Sequence, residues 1–553
     1  MSMERRALIA MVLMVVVLLF YWVYAPRGTR APEPAPPEAA GPGAAAPGAG
    51  RDSVIMPEKS ASDSSTVVAA GIPLAGAAGQ EVYVTTPLIS ATFSTAGGIL
   101  TSFRLKDYLD EQDNPVELIP ETEEDALAVE LLTHTGERID LGGADFEPSA
   151  TSLDVPPGGE AMLTFTMRTE QGLEVVKSLR FRSDTYIIGC SVDIGGGGSI
   201  RAAEIGWQSG LKTTEANKKD DLRSFATLTM TEEGLAKYDL GKVKKRDVVK
   251  MGGEIAWTGI KTKYFLAAFA PVGGGRAVSR SYMVGEEAIG LSVEFDRPEM
   301  EPQAFLLYAG PLDYNRLKAL DLRLEEAVDF GWRWISPLTR LVFRFMLFVQ
   351  RGVPNYGLVI LILSVLIKIL FWPLTQKSMK SMHEMQKMQP MLNELKQKHK
   401  DDPKKFNEEM WKLYREKGVN PAGGCLPMLL QMPVFVALFN LLSKTIELRR
   451  APFMLWIQDL SAPDVIGKLP FTLPFIGSNV SVLPILMGIA MFIQQKMTAS
   501  DPKNATMTYM LPIIFTVIFY RFPSGLVLYW LVNNILSIMH QYLLARADRP
   551  QTA

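Results

Sequence analysis

Two kinds of hydrophobic pattern divide the chain near residue 330. Before that point, beyond a first apolar run at 7–24, apolar and polar residues alternate. Tyr186, Ile188, Cys190, Val192 and Ile194 put alternate side chains on one face, and Leu163, Phe165 and Met167 do the same. Turn formers such as Pro156-Pro157-Gly158-Gly159 and the glycine run 195–198 separate the stretches. Period-two alternation over 81–311 predicts a large antiparallel β-sandwich.

After Trp332 the alternation gives way to unbroken apolar runs. Those at 356–374, 425–442 and 526–544 are normal membrane spans. Those at 482–497 and 507–521 hold about 16 and 15 residues, short of the ~20 a full span needs. Pro523-Ser524-Gly525 predicts a tight turn that joins the last two runs into a helical hairpin. Ahead of the first run, 325–350 repeats Phe330, Trp334, Leu338, Leu341, Val342, Phe345 and Phe348 at near-helical spacing, interrupted by Arg333, Arg340 and Arg344. This predicts an amphipathic helix lying in the membrane interface, set apart from the next span by the break at 352–355.

The N-terminal run follows Arg5 and Arg6. Its length of about 18 residues exceeds a signal-peptide core of roughly 7–15. Val23 and Ala25 mimic a cleavage site, but Pro26 would follow the cut. The expectation is an uncleaved signal anchor over 1–25. Residues 26–80 are rich in Pro, Ala, Gly and Ser and should form an extended periplasmic tether.

Charge fixes the orientation. Lys377, Lys380, Lys387, Lys396, Lys398, Lys400, Lys404, Lys405, Lys412, Arg415 and Lys417 crowd the loop 375–424. By the positive-inside rule that loop is cytoplasmic. With the anchor this gives six spans, both termini in the cytoplasm, and the β domain in the periplasm of an inner membrane. Within the loop, 375–400 is helical in composition and carries Met379, Met382, Met385, Met388 and Met391. Asp402-Pro403 marks a helix restart, and Phe406, Met410, Leu413 and Tyr414 form the apolar stripe of a second helix. The methionines of this basic hairpin either pack its two arms or offer a pliable surface to varied apolar segments.

Composition removes several function classes. The 553 residues carry net charge -2, which argues against a nucleic-acid substrate. Two cysteines and four scattered histidines build no disulfide framework and no zinc spacing, and no G-x-x-x-x-G-K-[ST] motif is present. No metal and no cofactor is therefore expected. Cys190 sits on an apolar face and reads as a buried, inert thiol. His134 falls in a Thr-His-Thr-Gly turn, and Glu121, Glu123, Glu124 and Asp125 read as a solvated face. No catalytic residue is assigned. An ion or solute transporter and a membrane-anchored carbohydrate-active protein stay as alternatives, although paired repeats of the transporter kind are not visible.

The spans themselves are unusually polar. Ser364 and Lys368 interrupt the run 356–374, Gln431 and Asn440 the next, Gln494 and Gln495 the third, and Asn533, Asn534, Ser537 and His540 the last. Such groups are costly in hydrocarbon, so they glue helices together or line a watery path. Lys368 could snorkel to the cytoplasmic headgroups. Its Cα–Cβ bond, however, tilts toward the periplasmic start of the helix, which favours a hydrated cavity open to the cytoplasm.

Three motifs add a resemblance. Asn420-Pro421-Ala422-Gly423-Gly424-Cys425-Leu426-Pro427 leading into Gln431-Met432-Pro433-Val434-Phe435, then Glu447-Leu448-Arg449, and Phe522-Pro523-Ser524-Gly525-Leu526-Val527-Leu528-Tyr529-Trp530 closely resemble signatures of the YidC family of membrane protein insertases. The resemblance covers about 332–546. It implies a five-helix core with a hydrophilic groove, closed to the periplasm and open to cytoplasm and lipid, within 356–545. It also implies a supersandwich-like exported domain without enzymatic activity. The implied function is a membrane insertase and chaperone for nascent membrane proteins, acting alone or with the Sec translocon, with a ribosome or targeting machinery at the cytoplasmic face. By position, the implied groove residues are Lys368, Ser364, Gln431, Asn533, Tyr529 and Trp530, and the implied cytoplasmic contacts are Met379, Met382, Met385 and Met388. Lys368 stands where the family usually has arginine. It keeps the charge and loses the planar fork.

Overall fold

The computed structural model describes residues 79–121, 125–196, 199–246, 248–273, 276–296, 302–400, 402–418, 426–473, 476–498 and 505–547. The N-terminal anchor, nearly all of the tether and the motif residues 420–425 lie outside them.

Alternation in the first half becomes strand. Tyr186, Ile188, Cys190, Val192 and Ile194 are all buried, as are Leu163, Phe165 and Met167. Ile187–Gly195 pairs antiparallel with Glu174–Arg182, which pairs in turn with Glu160–Arg168. On its other edge Ile187–Gly195 takes Gln303–Pro311, followed by Phe265–Pro271 and then Val248–Lys261. A second run of pairings goes from Ala126–Thr133 through Ile200–Trp207, Ala288–Asp296 and Arg276–Val284 back to Val248–Lys261. That long strand thus serves both sheets. Residues 248–254 pair in one and 258–261 in the other, and the switch falls beside Gly252-Gly253. Gly253 has φ +129, a conformation that side chains rarely adopt.

Aromatic rings from the two sheets meet between them. Phe93 lies 5.7 Å from Phe165 and 6.2 Å from Phe181, and Phe295 lies 5.1 Å from Phe305. Trp207, Trp257 and Tyr264 are fully buried. Truncating a residue of this size typically costs about 3–5 kcal/mol. The same core encloses an ammonium. Lys177 donates to the carbonyls of Gly97, Gly98 and Leu127, and burial pulls its pKa down to about 8. Burial pushes the nearby Cys190 thiol up to about 11, out of the reactive range. His134 is exposed in its turn, as its neighbours imply.

The second half is helical. An amphipathic helix occupies Ser336–Gln350, and only a 3-10 turn at Leu324–Ala327 precedes it, so the helix is shorter than the sequence pattern suggests. Pro337 fits its first turn. Five core helices follow at Tyr356–Leu370, Leu426–Lys444, Leu483–Thr498, Ala505–Phe519 and Ser524–Ala547. Between the first and second stand Trp372–Lys387, Gln389–Lys398 and Pro403–Glu416. The last two pack together, His399 meets Glu409 at 3.3 Å, and the Asp402 carboxylate caps the final helix by accepting from the Lys405 N–H. The hairpin of strands Val465–Leu473 and Gly477–Ser481 was not anticipated, although Leu469, Phe471 and Leu473 alternate with polar or proline neighbours.

Among the described residues no single helix is both long and apolar enough to cross a membrane. The pair Tyr356–Leu370 and Trp372–Ser381 meets that standard together, bent by 60°. Pro373 explains the bend, because its ring opposes the carbonyl four residues back and its nitrogen donates nothing. Leu483–Met497 and Tyr509–Phe519 are apolar and shorter.

Candidate functional site

The first core helix has two unlike faces. Leu358, Ile362, Val365, Leu366 and Ile369 form an exposed apolar stripe at helical spacing, while Ile360, Leu363, Ser364 and Ile367 are buried. A continuous exposed apolar face of this kind is uncommon on a water-soluble surface and suits hydrocarbon. Lys368 lies at the edge of the inner face and is partly buried.

The inner face meets the fifth core helix. There Tyr529, Asn533 and Ser537 follow at intervals of four, with His540 and Gln541 continuing the line, so one helix face carries a polar stripe. The Lys368 ammonium donates to Ser537 Oγ at 2.6 Å, and the Ser537 hydroxyl donates to the Asn533 carbonyl at 2.7 Å. The sequence suggested water as the partner of Lys368; the structure supplies a protein hydroxyl. Ser537 was visible as a polar residue in the last run, but its part in the site was missed. The four-residue spacing from Tyr529 and Asn533 was the available signal.

Ser364 is fully buried and donates to the Ile360 carbonyl at 2.7 Å, one turn back on its own helix. The Tyr529 hydroxyl lies beside Gln431 of the second core helix and Asn533 and is buried without a hydrogen-bond partner among the described residues. Asn533 Nδ2 bonds weakly to the Tyr529 carbonyl at 3.3 Å, and its Oδ1 is buried without a partner among the described residues. The same holds for Asn534 Nδ2 and both ring nitrogens of His540. The His540 ring stacks on Trp372 at 3.8 Å, just past the bend of the first helix.

The structure therefore gathers Lys368, Asn533, Tyr529 and Gln431 along one seam and sets Trp530 apart. Trp530 turns about 100° from Tyr529 around the helix. It packs among Phe435, Phe515 and Phe519 at 5.1, 6.1 and 5.2 Å. In the basic hairpin Met388 is buried, Met379 and Met385 are partly exposed, and the Met382 side chain lies outside the described residues.

The turn at 522–525 holds the fifth helix in place. The Ser524 N–H donates to the Ala462 carbonyl at 2.7 Å, its Oγ to the Asp459 carbonyl at 2.6 Å, and the Gly525 N–H to the Leu460 carbonyl at 3.0 Å. A side chain at Gly525 would press on the Leu460 carbonyl.

Known proteins resemble this sequence along nearly the whole chain. The family described as YidC periplasmic domain matches residues 81–344, and the family described as 60Kd inner membrane protein matches 348–551. A membrane protein insertase YidC of Syntrophus aciditrophicus is 35% identical, with 98% of this chain and 99% of that protein covered. The chain belongs to the YidC family of membrane protein insertases. A second relative of the same name, from Chlorobium luteolum, is 35% identical over 87% of this chain and 86% of its own. A crystal structure of an active YidC insertase with its first transmembrane domain resolved covers 86% of this chain at 18% identity and a TM-score of 0.39, too low to carry an argument.

Membership makes this chain a membrane protein insertase, a function without covalent catalysis, and an inner-membrane protein with a large β-rich periplasmic domain and a helical C-terminal region. Its substrates are nascent membrane proteins entering a lipid bilayer.

The Glu447-Leu448-Arg449 motif gains a physical reason. Arg449 is buried between the two regions, pairs with Glu215 at 2.8 Å and lies over the rings of Tyr264 and Phe265. Arg450 bonds to the Asp110 carbonyl at 2.6 Å and to Asp113. Asp329, in the segment joining the regions, pairs with Lys444 at 3.0 Å and Lys237 at 3.4 Å, and Lys261 donates to the Ala327 carbonyl at 2.9 Å. Burial opposes the Asp329 charge, but Lys444, Lys237 and Lys261 together hold the carboxyl well below its usual range.

Proposed function

We propose that the seam of Lys368, Gln431, Tyr529, Asn533 and Ser537 is the path by which a short hydrophilic segment of a substrate leaves the cytoplasm while its apolar helix enters lipid. The observation that carries this reading is the partly buried Lys368 ammonium at the head of a stripe of incompletely satisfied polar groups. Buried polar atoms without partners are costly. Water, or the polar backbone and side chains of a passing segment, would satisfy them. No nucleotide is needed, since partition of the substrate's apolar helix into lipid drives the step. Ser364 would act by letting the helices approach rather than by touching substrate, and Trp530 by fixing the aromatic packing behind the seam.

The third and fourth core helices are about 24 and 22 Å long at ~1.5 Å per residue, against a hydrocarbon core of about 30 Å. They would thin the bilayer beside the seam and shorten the crossing. The topology in this reading has six spans, with the anchor 1–25 as the first, both termini and the hairpin 375–424 in the cytoplasm, and a supersandwich-like β domain outside. Met379, Met382, Met385 and Met388 would meet incoming apolar segments from the ribosome or targeting machinery, and some substrates would arrive with the Sec translocon.

A topology measurement tests the frame. A reporter active only in the periplasm should be silent when fused within 375–424 and active when fused beside Ser461. The reverse pattern overturns the six-span arrangement and the cytoplasmic opening with it.

A further inference from the structure

We propose that Arg333, Arg340 and Arg344 form a binding site for the phosphodiester headgroup of an anionic phospholipid. The three guanidinium groups line one cleft of about 550 Å³ together with Ser336, Pro337 and Leu341. Positions 337, 340, 341 and 344 share one face of Ser336–Gln350, and Arg333 reaches the cleft from the turn before it. The opposite face is already occupied: Thr339, Val342, Phe343 and Met346 are buried against the protein. The arginine face is thus the one left for an outside partner.

The charges on that face are uncompensated. Among the described residues none of the three arginines has a carboxylate partner, whereas Arg316, Arg323 and Lys444 nearby are all ion-paired. Arg340 is held in place over the Phe330 ring at 5.4 Å. The 15-residue helix begins at the same cleft, and Ile335 in its N-cap position offers no side-chain acceptor.

The rim decides what kind of anion. Leu341 and Phe348 are 66% and 70% exposed, and Trp332 and Trp334 stack at 6.0 Å on the surface just before the helix. A soluble phosphate gains nothing from exposed leucine and phenylalanine. A phospholipid satisfies both halves, with its phosphate on the arginines and its acyl chains against the apolar rim. The charge asymmetry also fits, since three arginines at a periplasmic surface run against the usual distribution of cations and call for a local counter-charge. The proposal rests on the periplasmic interfacial placement of this helix and is independent of the substrate path.

The test uses the full-length protein in liposomes containing trace phosphatidylglycerol or phosphatidylcholine with a photoreactive acyl chain. Crosslinked peptides are mapped over 331–351, with the lysine-rich segment 375–424 as internal reference. Phosphatidylglycerol should label 331–351 at least fivefold more than phosphatidylcholine. The triple variant R333Q/R340Q/R344Q should lose that excess while labelling at 375–424 stays constant, and R333K/R340K/R344K should keep most of it. Equal labelling by the two lipids, or an unchanged excess in the glutamine variant, overturns the site. Full displacement by millimolar glycerol phosphate overturns the lipid as its occupant and points to a soluble anion. Insertion activity is not the readout, so a failure here is separable from a failure of the substrate path.

Discussion

The two regions of this insertase treat polar groups in opposite ways. In the β domain the buried ammonium groups are satisfied: Lys177 reaches three carbonyls and Lys263 pairs with Asp220 at 3.0 Å, and the unpartnered buried atoms, such as Gln208 Oε1 and Trp257 Nε1, are scattered singly. In the helical region, leucines and isoleucines face outward while asparagines and a histidine are buried with atoms left unpartnered. A domain surrounded by water hides its apolar groups and pairs what it must bury. A domain surrounded by lipid exposes apolar groups and can keep a polar interior, provided something fills it. The β domain leaves single polar atoms unpartnered, whereas the fifth core helix gathers them on Tyr529, Asn533, Asn534, His540 and Gln541, as a path waiting for a partner would.

The contact between the regions belongs to the first kind, and breaking it should give the largest effect. Asp329→Asn leaves Lys444, Lys237 and Lys261 facing one another without the carboxylate. Asp329 and Lys237 are partly exposed, so the loss should fall below the ~3 kcal/mol typical of a fully buried pair, at roughly 1–2 kcal/mol. The purified protein should melt at markedly lower temperature, and protease should cut sooner between residues 312 and 336. Unchanged melting would mean that the two regions are coupled through Arg449 and Arg450 alone. The same contact bears on the exported domain as an accessory part. Its removal over about 85–300 should leave insertion largely intact only if the stranded Arg449 and Arg450 are neutralised as well, since Lys444 keeps Asp329.

Glu447 offers a pH-dependent test. Burial pushes its carboxyl up to about 8, and one oxygen has no partner. The folded pKa lies above the unfolded one, so the folded state holds the proton more tightly. Stability should therefore fall as pH rises from about 4.5 to about 8 and level off above. Glu447→Gln should flatten this slope and melt higher than the parent at pH 8. A parent that is most stable at pH 8 would contradict the buried neutral carboxyl.

Neighbours on the fifth helix provide the finest contrast. Tyr529→Phe removes a hydroxyl that faces the seam and should slow insertion by about two- to threefold with little change in melting, the size of one modest hydrogen bond. Trp530→Leu should do the reverse, lowering the melting temperature through lost ring packing and leaving insertion per folded molecule unchanged. If both variants behave alike, the division between seam and aromatic backing is wrong.

Much of this was legible in sequence, for identifiable reasons. Alternation at 186–194 and 163–167 marked buried faces because a strand has only two. Asp402-Pro403 marked a helix start because capping is local chemistry. What escaped needed neighbours distant in sequence. Ser537 is 169 residues from Lys368, and Arg449 is 234 from Glu215. The 325–350 stripe overstated its helix because Phe330 packs on Tyr314 and Phe343 from a loop, with a helix-like spacing but no helix. Trp530 and Tyr529 are adjacent in one motif, and only the packing separates their environments.

The central claim is that the Lys368 seam is wet and opens to the cytoplasm. In a protein with Cys190 and Cys425 replaced by alanine, single cysteines at Lys368, Ser537 and Ser364 can be challenged with a membrane-impermeant maleimide from either side of oriented vesicles. Cysteines at 368 and 537 should label from the cytoplasmic side within minutes, and at Ser364, which is fully buried, much more slowly. Labelling only from the periplasmic side, or at neither 368 nor 537, would contradict the account.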